Sequence, residues 1–402
     1  MVYKLGIGLE EIPMPWKETC AMDEKKEFLA AYLEGDMKMT ALCQAFGISR
    51  PTGYAMIERY QRDPESYHRE SSRAPLHHPN ETPRRLVQLI MKQRRKQPAW
   101  GPVTIRSVLE RMYPDEIWPA ASTIGAILKR EGAIPAAAKR RLGAIPRSTA
   151  LTEPAAVNEV WGIDYKGQFR TGDRKYCYPL TLTDRYSRFV LGCVGRRTVA
   201  EEYARPAMQK LFDTYGLPKV IRSDNGPPFA TNGLAGLSRL SAWWLRLGIA
   251  SERIKPGHPE ENGSHERMHG AMKAELLTTV QWDMASQQRA FNTWRKVYNE
   301  ERPHHALGMR RPAEIYEPSP RRMPDRDPEV SYSPQHEVRM IRQNGSIKWN
   351  SELLFISQSL VHQPVGLLQV DEGRWHVFYM GLKLGMLDER LKKVVPLLPE
   401  SA

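Results

Sequence analysis

A chain of 402 residues is too long for one ordinary hydrophobic core, so three to five modules are expected. With 41% hydrophobic and 26% charged residues it reads as globular rather than disordered, and no run of about 18 apolar residues is present to cross a membrane. The formal net charge is +13, which points to a polyanionic partner. The four cysteines, Cys20, Cys43, Cys177 and Cys193, contain no CxxC pair, which argues against a zinc ribbon or a disulfide framework.

The first segment carries acids and lacks the apolar core of a signal peptide, so a cytoplasmic, nucleoid-associated protein with reduced thiols is expected. Residues 22–62 then predict three short helices. Asp23–Leu33 places Phe28, Leu29, Tyr32 and Leu33 at helical spacing; Thr40 caps Ala41–Phe46; Ser49 caps a third helix through Tyr54, Ile57 and Tyr60. A short helix, a glycine turn and a longer helix is the helix-turn-helix pattern. The third helix would carry Arg50, Thr52, Tyr54 and Arg59 into a DNA major groove. The same spacing fits a plain helical bundle, and pattern alone does not separate the two.

After a polar linker at 63–82, residues 83–132 predict a second helix-turn-helix or winged-helix module: Pro83–Lys96, Val103–Met112 and Ser122–Arg130. This lies in the most basic part of the chain, since residues 84–147 hold 14 Lys/Arg against 4 Asp/Glu. Arg94, Arg95, Lys129, Arg130, Arg140 and Arg141 are the expected DNA contacts there. Residues 133–156 read as a basic linker able to track DNA.

From 157 to 300 the pattern changes to strands Val160–Lys166, Tyr176–Thr183 and Arg188–Val194, helix Val199–Tyr215, strand Val220–Ser223, helix Leu234–Leu247, strand Ile249–Arg253, and helices Gly263–Leu277 and Met284–Glu300. The order βββ-α-β-α-β-α-α describes a mixed sheet flanked by helices and matches a ribonuclease-H-like fold. Residues 302–330 read as extended. Residues 332–390 alternate in period two with turns at Asn344-Gly345, Asp371-Glu372-Gly373 and Met380-Gly381, and predict a small antiparallel β-barrel. The expected class is multidomain α+β.

Three acids stand in chemically suggestive settings. Asp164 and Asp224 end β-like runs, and Glu266 opens a helical one. Carboxylates on elements of these types can hold two Mg2+ ions about 3.5–4 Å apart against a phosphodiester. Asp184 also ends a strand, but its expected role is in the hairpin turn before Arg188. Glu260 and Glu261 fall in a Pro/Gly-rich loop that would leave them solvated. His265-Glu266-Arg267-Met268-His269 matches the zinc-protease helix motif H-E-x-x-H. The pentapeptide is short and the extended zincin pattern does not follow, so its histidines are expected in DNA contact or local packing. Lys273, two turns after Glu266, shares its helical face.

Taken together, Trp161-Gly162-Ile163-Asp164, Thr183-Asp184-Arg185-Tyr186-Ser187-Arg188, Ser223-Asp224-Asn225-Gly226, Gly257-His258-Pro259, Asn262-Gly263, His265–His269 and Tyr298-Asn299 with Arg302-Pro303-His304 make residues 157–316 resemble the integrase core of insertion-sequence transposases in the DDE superfamily. Gly47–Arg50, Thr52–Tyr54 and Trp100-Gly101-Pro102 are similar to the DNA-binding head of such transposases. The resemblance implies a triad of Asp164, Asp224 and Glu266 that is both catalytic and metal-binding. It implies Mg2+ as cofactor (two ions, with Mn2+ as a substitute), and Lys273 in a DNA-contacting position. Asn225 and His258 would shape the site from behind. The implied activity is DNA transposition, with binding of terminal inverted repeats, end nicking and strand transfer into target DNA. The implied partners are double-stranded DNA and a homodimer or larger assembly, with no membrane. The contrasting expectation is a catalytically inactive, transposon-derived DNA-binding protein. One departure is the gap of 41 residues between Asp224 and Glu266, longer than in retroviral-type members and expected to lengthen the Leu234–Leu247 helix.

Overall fold

The computed structural model describes residues 21–65, 81–134, 151–255 and 259–396. The chain divides into two compact units, at Glu81/Thr82. In the first unit, α1 (Ala21–Glu34), α2 (Met39–Ala45) and α3 (Arg50–Arg62) enclose Phe28, Leu42, Cys43 and Ile57. Ser49 caps α3 by accepting from the Thr52 amide. Thr40 does not cap α2, whose N-cap is Lys38 with no side-chain bond. Gly53 lets α3 lie against α2, since a Cβ there would sit 2.7 Å from Cys43 Sγ.

The second unit contains the remaining expected modules. α4 (Arg84–Lys96), α5 (Pro102–Met112) and α6 (Ala121–Arg130) pack around Ile90, Trp100, Ile105, Leu109 and Ile124. Val297 joins that cluster. Lys96 pairs with Glu301 at 2.9 Å and Arg111 with Glu314 at 2.6 Å, so the triplet is docked on the segment that follows the sheet domain.

The sheet is formed by β1 (Val160–Tyr165), β2 (Phe169–Arg170), β3 (Tyr176–Asp184), β4 (Val190–Arg196), β5 (Val220–Ser223) and β6 (Ala250–Arg253). Its order is β4-β3-β1-β5-β6, with β2 pairing the start of β3. β1 is central, antiparallel to β3 and parallel to β5. Helices α7 (Glu201–Tyr215) and α8 (Arg239–Arg246) cover one face, where Trp161, Ile163, Leu180 and Leu182 meet Met208, Phe212, Trp243 and Trp244. Helices α9 (Gly263–Glu275) and α10 (Met284–Lys296) cover the other, where Cys177 and Cys193 meet Met268, Met272 and Phe291. A π-helical turn, Val297–Glu301, follows α10, and its Asn299 side chain bonds both the amide and the carbonyl of Val190 at 2.9 and 3.0 Å, closing the β4 edge.

The long gap before Glu266 does not lengthen a helix. Leu234–Gly236 is a short 3-10 turn, and α8 starts only at Arg239, behind a Ser238–Ser241 capping box. Instead, Leu237 and Ala242 are buried in the C-terminal core.

That C-terminal part comprises β7 (Glu337–Met340), β8 (Ser346–Trp349), β9 (Glu352–Phe355), β10 (Pro364–Asp371), β11 (Arg374–Tyr379), β12 (Leu382–Asp388) and β13 (Lys393–Val395). The expected antiparallel strands and turns are present, with Gly345 and Gly373 at positive φ. Hydrogen bonding does not close a barrel among the described residues. An open five-stranded sheet, β13-β12-β11-β10-β7, packs with a separate β8-β9 hairpin.

Candidate active site

Alternation along β1 sets the site. Trp161 and Ile163 point into the α7/α8 core, so Gly162 and Asp164 face α9. β5 runs parallel to β1 in the register Gly162↔Arg222, and extending it by two residues brings Asp224 beside Asp164. Glu266 lies exposed in the first turn of α9. The three carboxylates interact. Burial raises the Asp164 pKa to about 7, helped by the charge of Asp224 and, less strongly, of Glu266, against the Tyr165 amide and Lys166. Asp224 is also raised by burial. A buried Asp164 carboxylate repelled by Asp224 and Glu266 favours a multivalent cation, and carboxylate oxygens suit Mg2+.

Loops on both sides are tied down. The Gly226 amide donates to Asp224 at 3.2 Å, and Asn225 donates to the Ile254 carbonyl at 2.5 Å, linking the ends of β5 and β6. Asp184 is structural: buried, it accepts from the Ser187 amide and hydroxyl and the Asn158 amide, as its hairpin role requires. Glu261 departs from the expected solvated loop. It is buried, accepts from the Lys255 amide at 2.8 Å, and offers its carbonyl to buried Arg185. Arg185 also donates to Asn262 at 3.0 Å, fixing the entry to α9.

His265 and His269 point inward rather than toward DNA. The Thr181 hydroxyl meets both Nε2 atoms at 2.8 Å, and Thr183 meets His265 Nδ1 at 3.1 Å. Both ring nitrogens of His265 are therefore engaged, which removes it as a zinc ligand. Burial lowers both histidines, His269 to about 3 and His265 well below its ordinary value, so both are neutral. Thr181 was not marked in the sequence, and Gly162, Thr183 and Arg185 stood there only within longer motif stretches. For Thr181, Thr183 and Arg185 the signal was polar residues recurring at every second position along and just beyond a strand otherwise rich in apolar ones.

The expected DNA contacts separate into groups. Arg50, Thr52, Tyr54 and Arg59 are all exposed on α3, although Thr52 also bonds the Ser49 cap. Arg95, Lys129 and Arg130 are exposed, Arg130 beside Glu131 at 3.7 Å. Arg94 instead clamps the helical triplet, donating to the Trp100 and Ala133 carbonyls. Lys273 is exposed in the last turn of α9. Arg140, Arg141 and His258 lie outside the described residues. Beside α9, a cavity of about 450 Å³ is lined by Arg188, Arg267, Tyr298, Arg302, His304 and His305.

Residues 154–259 match one integrase core domain family and residues 247–312 a second family of the same description. An IS407 insertion-element protein of Burkholderia multivorans is 30% identical over 44% of this chain and 62% of its own length. An IS476 insertion-element protein of Xanthomonas euvesicatoria is 27% identical over 44% and 49%. The chain thus spans about half to three-fifths of the length of these relatives. The magnesium-bound catalytic core of HTLV-2 integrase aligns over 41% of this chain and all of its own, at 16% identity and a TM-score of 0.33. Residues 154–312 thus match integrase core domain families in two consecutive stretches, and the chain is similar over this region to insertion-element proteins.

Proposed function

We propose that the chain is a DNA transposase whose strand-cleaving and strand-joining centre is Asp164, Asp224 and Glu266. The observation that carries this reading is the charge of Asp224, at the end of β5, and of Glu266, on α9, acting on the partly buried Asp164 of β1. Divalent cations, Mg2+ or Mn2+, supply activation of the attacking oxygen and stabilisation of the leaving one when bound there. Asp164, nearest the protein interior, holds the inner side of the site. Asp224 holds the neighbouring strand end, and Glu266 reaches from the exposed helix face toward DNA. The same residues would first position a water against the phosphodiester at the element end, then the freed 3′-hydroxyl against target DNA.

Arg50, Thr52, Tyr54 and Arg59 on α3 would read the terminal inverted repeats. Arg95, Lys129, Arg130 and Lys273 would hold phosphates. The arginine-lined cavity beside α9 is suited to a further phosphate of the same duplex. Two element ends must be brought together, so a dimer or larger assembly on DNA is expected.

The test is end nicking on DNA carrying the flanking repeats, with Mg2+ and with EDTA. Wild type should nick only with Mg2+, and Asp164→Asn should bind the same DNA without nicking. Binding by both proteins with nicking by neither would favour a DNA-binding relic of an insertion element.

A further inference from the structure

We propose that Nδ1 of His269 is a donor atom to the cation held by Asp164, so that the centre is a carboxylate site completed by one imidazole. The inference rests on the reading of Asp164 as a metal ligand.

The Thr181 hydroxyl has one hydrogen. It lies 3.0 Å from the backbone carbonyl of Asp164, which can only accept, and we assign the hydrogen to that bond. Thr181 Oγ1 must then act as acceptor toward Nε2 of His265 and Nε2 of His269, each at 2.8 Å. Both rings therefore carry their single proton on Nε2, and both Nδ1 atoms are bare. For His265 the bare atom is satisfied by the Thr183 hydroxyl at 3.1 Å. For His269, the facing group among the described residues is Asp164 Oδ2, at 3.8 Å. That separation is too long for a shared hydrogen. An ion bound by both at about 2.0–2.2 Å would draw them closer by less than about 1 Å, to the spacing of adjacent ligands.

The placement on the helix agrees. Glu266 and His269 are three residues apart on α9, hence neighbours on its surface. A Glu-x-x-His pair is a known way for one helix to offer a carboxylate and an imidazole to the same metal centre. The nearest ligand atoms of Asp164, His265 and His269 lie within 4.8 Å of one another, and only His265 has both nitrogens occupied. A nitrogen donor favours Mn2+ over Mg2+ more than carboxylates alone would.

The discriminating variant is His269→Gln in the full chain. The glutamine amide can replace the Nε2–H that Thr181 accepts, but it places no donor where Nδ1 was. Mn2+ binding is read by the loss of the free-ion paramagnetic resonance signal, and Mg2+ binding by competition, without DNA or turnover. The expected result is a Mn2+ affinity about tenfold or more weaker, with a smaller loss for Mg2+ and an unchanged melting temperature in EDTA. Unchanged Mn2+ affinity, or parallel loss of both metals together with a lowered melting temperature, would overturn the proposal and leave His269 a positioning residue. Should the variant fail to fold, wild-type protein labelled with 15N-histidine and loaded with 113Cd2+ gives the answer. One Nδ1 resonance coupled to cadmium supports the assignment, and its absence refutes it. Asp164→Asn separates the two levels of the argument, because Mn2+ binding that survives this change would remove the carboxylate centre itself.

Discussion

Thr181 faces Asp164 across the β1–β3 pair, and its hydroxyl donates to the Asp164 carbonyl at 3.0 Å and bonds two imidazoles of α9 at 2.8 Å. One side chain thus joins the strand that carries the first carboxylate to the helix that carries the third. Thr181→Val keeps the shape and removes the hydroxyl, leaving two buried imidazole nitrogens unpaired. The expected destabilisation is about 2–5 kcal/mol in urea unfolding. A loss below about 0.5 kcal/mol would mean that water reaches those imidazoles.

Gly162 lets β1 approach the same histidine pair closely. A Cβ there would lie 2.9 Å from His265 Nδ1 and 3.3 Å from Thr183 Oγ1, and neither atom is the free end of a flexible chain. Gly162→Ala should push α9 outward, costing about 1–3 kcal/mol. It should also reduce nicking more than its melting temperature explains, because Glu266 moves with the helix. Activity that tracks stability alone would count against α9 as the positioning element.

The raised pKa of Asp164 has a definite sign in stability. In the metal-free protein it is about 7, above its ordinary value of 3.8, so the folded state holds this proton more tightly than the unfolded state. The group therefore weakens folding progressively as pH rises from about 4 to 7, and above that the penalty is constant, on the order of a few kcal/mol. In EDTA at pH 8, Asp164→Asn should melt higher than wild type, and the difference should shrink as pH falls toward 4. Adding Mg2+ at pH 8 should raise wild type and leave the variant unmoved. A variant that melts lower than wild type in EDTA at pH 8 would contradict this account.

Arg94 and Arg95 are adjacent but differently employed. Arg94 holds two carbonyls within the helical triplet, whereas Arg95 is exposed. Arg94→Ala should lower the melting temperature and leave the salt dependence of DNA binding unchanged. Arg95→Ala should leave melting unchanged and reduce the salt slope by about 1. Exchange of these two outcomes would assign the phosphate contact to Arg94.

Much of this molecule was legible in the chain because it depends on local periodicity. The apolar runs around β1 and β5, the helical spacing of α4 to α6, and the Ser49 cap are set by residues close in sequence. So were the three acids, since each stands at the end of a strand or the start of a helix. Other features depended on partners far along the chain. Arg94 looked like any other cation of a basic segment, and only the nearness of Ala133 and Trp100 made it a clamp. Glu261 looked solvated until Arg185 and Lys255 enclosed its loop. The gap before Glu266 looked like a longer helix, but its apolar residues were claimed by the C-terminal strands. His265-Glu266-Arg267-Met268-His269 fixed which groups share the start of a helix. Which of them turn inward was decided by the strand beneath, where Thr181 and Thr183 offer hydroxyls and Gly162 leaves room. Spacing along the chain determines which side chains share an element, whereas hydrogen-bond partners and burial arise only when elements distant in sequence are packed together.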